Sequence, residues 1–173
     1  SAASDVYKRQ AESTASWTGF FRDLIARGLT GVFLVTSDAH LGIQAAVGDC
    51  LPQASWQRCR THFAKNLSAQ VPKTQWPTLS AMFHTIFQQP DAASVWAQAR
   101  EVIEFCQQKF PHVATYLEEC LDELLAFTAA PRAVWTKIWS NNPTERLNRE
   151  IRRRTDVVGI FPNRDAVSYT HLT

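Results

Sequence analysis

The chain has 173 residues, of which 45% are apolar and 20% charged, enough for one globular domain with a real core. A formal net charge of +2 excludes a polycationic nucleic-acid tail, and no apolar run approaches the length that spans a bilayer. Four scattered cysteines (Cys50, Cys59, Cys106, Cys120) exclude a disulfide framework; with no signal peptide visible, they read as reduced thiols of a cytosolic protein.

In chain order, residues 1–10 and 167–173 read as non-native ends, translated adaptor sequence around a native stretch of roughly Ala11 to Ala166. Glu12 to Arg27 is a predicted helix: Trp17, Phe20, Phe21, Leu24 and Ile25 recur at three- and four-residue spacing, and Gly28 is a natural stop. Val32-Phe33-Leu34-Val35-Thr36 follows, an apolar β-rich run without alternation that suits a strand covered on both faces. Asp38 then stands at the C-terminal end of the strand, the edge of α/β sheets where ligands gather. The competing reading makes Asp38 the N-cap of a helix over Leu41 to Val47 and His40 a surface histidine.

A second, shorter strand is predicted over Ala54 to Cys59, running into a helix start at Arg60 to Leu67. Cys59 and His62 form a lone Cys-x-x-His, which suits local packing or hydrogen bonding better than zinc, because a structural zinc site needs about four ligands. From about Phe63 to Ala130 the pattern is helical, interrupted at Val71-Pro72, Pro90 and Phe110-Pro111. The apolar stripes around Phe83, Val102 and Leu117 are expected to be the core of a helical bundle. Pro131 to Trp139 is a connector, and Val157 to Asn163 an apolar turn expected to pack back on the sheet.

The basic character of the chain is local: five arginines lie between Arg146 and Arg154. The stretch reads as a helix with Asn142 as N-cap, Pro143 in its first turn and Glu145 at its third position. At about 100° per residue, Glu145, Asn148, Arg149 and Arg152 share a face away from the edge made by Leu147 and Ile151. The same features also fit a capping box, ordinary ion pairs (Glu145–Arg149, Glu150–Arg154) and a solvated arginine face.

Two carboxylates far apart in sequence, one at a strand end and one on a helix, suit a site for two divalent cations. Mg²⁺ prefers few carboxylates and several waters, so two or three acids suffice. Arginines beside the acid would neutralise the phosphates of a substrate strand.

Ser37-Asp38-Ala39-His40-Leu41-Gly42-Ile43, then Gln57-Arg58-Cys59-Arg60-Thr61-His62 with Asn66, then Asn142 to Arg154 with Val158-Gly159-Ile160-Phe161-Pro162-Asn163 together resemble the mutator-type DDE transposases of bacterial insertion sequences. Arg27-Gly28-Leu29 and Glu12-Ser13 with Trp17 fit too, so the resemblance covers nearly all of residues 11–166.

It implies an α/β fold, mostly helical overall: a partial ribonuclease H-like core over residues 11–62 and 141–166, interrupted by an all-helical insertion over residues 63–140. It implies metal-dependent DNA cleavage and strand transfer with Mg²⁺ or Mn²⁺ at a two-metal site. Asp38 matches the family's second catalytic aspartate, Glu145 its glutamate, and Cys59 with His62 its Cys-x-x-His signature. Arg146, Arg149, Arg152 and Arg153 are the expected DNA-binding residues. Expected partners are the transposon ends, target DNA and a second copy of the complete protein, with no membrane, in the bacterial cytoplasm.

Glu145 is preferred to Glu150, which projects nearer the Leu147 edge and can pair with Arg154 or Arg146. The family's first aspartate lies on an upstream strand, so the stretch is expected to be a fragment inactive alone. The alternative is a non-enzymatic DNA-binding α/β module or decayed remnant, in which both acids are only caps.

Overall fold

The computed structural model describes residues 13–158. The chain divides after Ser140 into two compact units.

The first unit opens with helix α1, Thr14–Ala26. Ser13 caps it, its hydroxyl accepting the Ser16 N–H at 3.2 Å. It ends as predicted at Gly28, whose φ of +102° suits a residue without a Cβ. The Gly28 N–H bonds Ile25 O and the Leu29 N–H bonds Leu24 O, both at 2.9 Å. This paired pattern satisfies carbonyls that a helix end leaves open.

Strand β1, Leu34–Ser37, and strand β2, Ser55–Arg58, pair in parallel with Leu34 opposite Ser55 and Ser37 opposite Arg58. Helix α2, Leu41–Cys50, supplies the crossover between them. Phe21 of α1 and Ile43, Ala46 and Val47 of α2 form a small core, with Trp17, Val35, Cys50, Leu51 and Ala54 packed against it.

The rest of the unit is helical: α3 (Arg60–Ser68), α4 (Trp76–Ile86), α5 (Ala92–Lys109), α6 (Pro111–Glu119), α7 (Leu121–Leu125) and α8 (Trp135–Ile138). The predicted breaks fall where proline removes a donor or sets the first turn of a helix. The expected stripe from Val113 to Leu125 is two helices, broken at Cys120, followed by a 3-10 turn over Ala126–Ala129. The connector is not structureless: it holds a 3-10 turn at Arg132–Val134 and α8, with Trp135 buried and its indole N–H on the Ala130 carbonyl at 2.7 Å. One large core runs through these helices, including Phe63, Leu79, Phe83, Val102, Leu117 and Phe127. The described residues are mostly helical with a two-stranded parallel sheet, the coarse class predicted.

Two buried polar residues of β2 join the sheet to the helices. The Gln57 amide donates to the Leu124 and Arg58 carbonyls, each at 2.8 Å, and its oxygen accepts the Phe127 N–H at 2.7 Å. The Arg58 guanidinium lies over the Phe63 and Tyr116 rings and bonds the Tyr116 hydroxyl and Cys120 Sγ.

The second unit contains α9, Asn142–Val158. The Glu145 N–H bonds Asn141 O at 3.0 Å, so the helix begins one residue earlier than predicted. Val157 and Val158 continue the helix rather than turning; the remainder of the expected 157–163 turn and both suspected end segments lie outside the described residues. No described helix is long and apolar enough to cross a membrane.

Candidate active site

Asp38 follows directly on β1, at the C-terminal edge of the parallel pair. Its Oδ1 accepts the Ala39 N–H at 2.9 Å, and its side chain is 56% exposed. Asp38 is not the cap of α2, contrary to the competing expectation. His40 takes that place: its Nδ1 accepts the Gly42 N–H at 3.2 Å, so His40 is a capping group rather than a bare surface histidine. The reason is register. Asp38 sits one turn-forming step too early, and its carbonyl accepts the His40 N–H at 2.9 Å. Relieved of capping, the carboxylate faces outward as a hard-oxygen donor, the kind of group that fits Mg²⁺. Among the described residues no three His, Cys, Asp or Glu side chains gather into a metal-binding group.

The ladder between the strands continues one step past their ends, with the Cys59 N–H on Ser37 O at 2.8 Å. The start of α3 therefore lies beside Asp38. His62 Nδ1 is 4.0 Å from Asp38 Oδ1. Cys59 is fully buried, its thiol donating to the Ser140 hydroxyl at 3.6 Å. Within the Cys-x-x-His signature, Cys59 thus bonds Ser140 while His62 stands near Asp38.

The same turn gathers the segment before α9. The Thr61 and Ser140 hydroxyls are 2.9 Å apart, and the Arg60 N–H bonds Trp139 O at 2.9 Å. Thr36 Oγ1, from β1, donates to Ile138 O at 2.5 Å. The Arg60 guanidinium stacks over Trp139 and Phe87 at 4.6 and 4.8 Å, and burial holds its pKa below the usual arginine value. In the sequence, Gln57, Arg60 and Thr61 are named only as members of the motif over residues 57–62, with no role of their own, and Ser140 is not named. For Gln57 the available signal was its place beside Arg58 in a short strand, where neighbours point to opposite faces and a buried polar side chain needs partners.

In the second unit, Glu145, Asn148, Arg149 and Arg152 line one shallow concavity on α9, the face predicted from helical spacing. Leu147 is 59% exposed. Glu150 is held differently: Arg153 bonds both its oxygens at 2.8 and 3.0 Å, and Arg154 adds a third bond at 3.0 Å. These bonds lower the Glu150 pKa to about 2. Its partners are Arg153 and Arg154 rather than Arg146. Arg153, expected to face DNA, is therefore engaged by Glu150, whereas Arg149 and Arg152 share a face with Glu145 and Arg146 is exposed.

The profile of "Transposase, Mutator family" matches residues 5–171. The transposase for insertion sequence element IS1081 of Mycobacterium tuberculosis is 59% identical over 157 residues, covering 91% of this chain and 38% of the relative. The transposase for ISRM5 of Rhizobium meliloti is 36% identical over 155 residues, 90% of this chain and 39% of the relative. The transposase for IS256 in transposon Tn4001 of Staphylococcus aureus is 32% identical over 162 residues, 92% of this chain and 41% of the relative. The chain thus spans about two fifths of the length of these curated relatives.

Proposed function

Since this chain belongs to the Mutator family of transposases, we propose that it is part of a DNA transposase that cuts a phosphodiester and joins the freed 3′-hydroxyl to target DNA. The reading is carried by Asp38: an outward-facing carboxylate at the C-terminal edge of a parallel strand, relieved of capping by His40. That same observation disfavours the binding-module alternative, which needs Asp38 as a cap.

In this proposal Asp38 and Glu145 are catalytic residues and two of the carboxylates that hold Mg²⁺ or Mn²⁺. When bound, the ions would make water or a 3′-hydroxyl nucleophilic and stabilise the leaving oxygen. The chain's own residues supply the rest. Arg149 and Arg152, on the Glu145 face, meet phosphate oxygens of the bound strand, and exposed Arg146 adds to the positive field along α9. Arg153, bonded to Glu150, stiffens the helix and contributes charge rather than a free fork. Glu145 is assigned over Glu150 because the latter carboxylate is already taken up by two guanidinium groups.

In this reading residues 11–62 and 141–166 belong to a ribonuclease H-like core, and residues 63–140 are its helical insertion. Support comes from the sheet: β1 pairs with one strand among the described residues, and Phe33, just before it, is 58% exposed, as expected of a sheet that continues elsewhere in the protein. A further aspartate on such a strand completes the metal site, so this stretch alone is inactive. The complete protein works as a homodimer on two transposon ends, in the bacterial cytoplasm.

The test is cleavage and strand transfer of end-bearing DNA by the complete transposase with Mg²⁺ or Mn²⁺. Asp38→Asn and Glu145→Gln abolish both steps while Glu150→Gln retains them. Activity that survives Glu145→Gln but not Glu150→Gln reverses the choice of glutamate. Unimpaired activity of Asp38→Asn removes the catalytic reading altogether.

A further inference from the structure

We infer that His62 is a positioning residue for Asp38: its imidazole limits the rotation of the Asp38 carboxylate and so selects the oxygen offered to a divalent cation. The inference rests on the proposed reading of Asp38 as a metal ligand.

Asp38 Oδ1 faces the protein. It accepts the Ala39 N–H at 2.9 Å and lies 4.0 Å from His62 Nδ1, an atom shielded from solvent. The side chain is 56% exposed, and both of these neighbours stand against Oδ1, so Oδ2 is the oxygen we assign to a cation. The terminal torsion of an aspartate is broad, so an exposed carboxylate held by one amide alone still turns. A second group against the same oxygen narrows that motion. At 4.0 Å the pair is longer than a hydrogen bond. A proton carried at Nδ1 would attract the facing carboxylate oxygen from this shielded position.

His62 can exert this because its mount is stiff. Its neighbour Phe63 is fully buried and stacked on Tyr116, with ring centres 5.1 Å apart. Cys59, at the start of the same turn, is buried against Ser140, and the Arg60 N–H is tied to Trp139 O. The parallel register sets Ser37 opposite Arg58, so the residues that leave the two strands are neighbours. A histidine three residues beyond Cys59 then lies one helical turn further on, beside Asp38. The Cys-x-x-His spacing thus holds two different anchors on one turn: Cys59 fixes the turn, and His62 steers the carboxylate.

The experiment is Mn²⁺ binding to the complete transposase, followed by the loss of the free-ion electron paramagnetic resonance signal. Wild type is compared with Asp38→Asn, His62→Phe, which keeps a ring without a donor, and His62→Asn, which returns an N–H near the Nδ1 position. Thermal melts check that each variant folds, and His62→Ala replaces His62→Phe if the latter does not. His62→Phe is expected to weaken Mn²⁺ binding about tenfold, the scale of lost support behind a metal ligand, and His62→Asn to restore most of that loss. Unchanged affinity in His62→Phe, or equal losses in His62→Phe and His62→Asn, overturns the positioning role. Unchanged affinity in Asp38→Asn overturns instead the reading of Asp38 as a ligand, so the two failures are told apart.

Discussion

Gln57, in the middle of β2, donates its side-chain amide to the Leu124 carbonyl at 2.8 Å across 67 residues of chain. Its other bonds reach Arg58 O and the Phe127 N–H. One fully buried amide therefore satisfies backbone groups of both the sheet and the helical layer. Gln57→Leu keeps the volume and leaves those groups without a partner. At about 1–3 kcal/mol for each orphaned buried group, the expected loss is roughly 2 kcal/mol or more. Gln57→Glu is expected to be worse still, since a carboxylate would face two carbonyl oxygens. Urea melts of the three proteins check the order.

Two glycines of α2 make a paired test. A Cβ on Gly42 would come within 3.0 Å of the Thr14 backbone nitrogen and 3.0 Å of the His40 ring, whereas a Cβ on Gly48 meets nothing within 4 Å. In a helix, replacing glycine by alanine otherwise stabilises by about 0.5–1 kcal/mol. Gly48→Ala should therefore raise the melting temperature. Gly42→Ala should lower it, because the clash is with backbone and with the histidine that caps the helix, and overpacking of this kind costs about 1–3 kcal/mol. A rise in both variants would show that α1 and α2 can move apart freely.

The bonds around Glu150 predict a pH dependence. Its pKa is about 2 in the folded helix against an ordinary 4.5. A depressed carboxylate contributes stability that is fully present above its unfolded value and lost as pH falls through the folded one. The helicity of a peptide covering residues 141–158, read by circular dichroism, is expected to fall between pH 4.5 and pH 2. Glu150→Gln should bring the neutral-pH helicity down towards the acid value and flatten most of the fall. Because these groups are exposed, high salt should shrink the difference.

Cysteine reactivity should follow burial. Cys106 is buried, and its thiol is pushed up to about 11 by desolvation. Cys120 is raised as well, chiefly by burial, and Cys59 is fully buried against Ser140. Cys50 is the more accessible of the four. Alkylation of the native chain at pH 8, mapped by mass spectrometry, is expected to modify Cys50 first and Cys106 only after unfolding, since the thiolate is the reacting form. Labelling of Cys106 as fast as Cys50 would contradict the packing of the helical core.

Much of this molecule follows from short-range pattern. Three- and four-residue spacing of apolar side chains marks the helices, and the prolines mark their joints, because a helix is set by contacts within a turn or two. The grouping of Glu145, Asn148, Arg149 and Arg152 is of that kind, and it is found on α9 as read. The apolar run before Asp38 likewise announces a strand end, and Asp38 stands there. What the sequence could not decide are the partners that topology supplies. Whether Asp38 or His40 caps α2 depends on the path of the chain leaving β1. That Cys59 meets Ser140, 81 residues away, depends on parallel pairing of the strands and on the helical layer returning the chain beside them. Gln57 and Arg58 stand in a motif legible in the sequence, but their buried partners are fixed only when the helices close over them. Local backbone preference carries no information about which distant group will satisfy a buried amide or thiol. Only the packed fold, in which such groups must be paired, makes that choice.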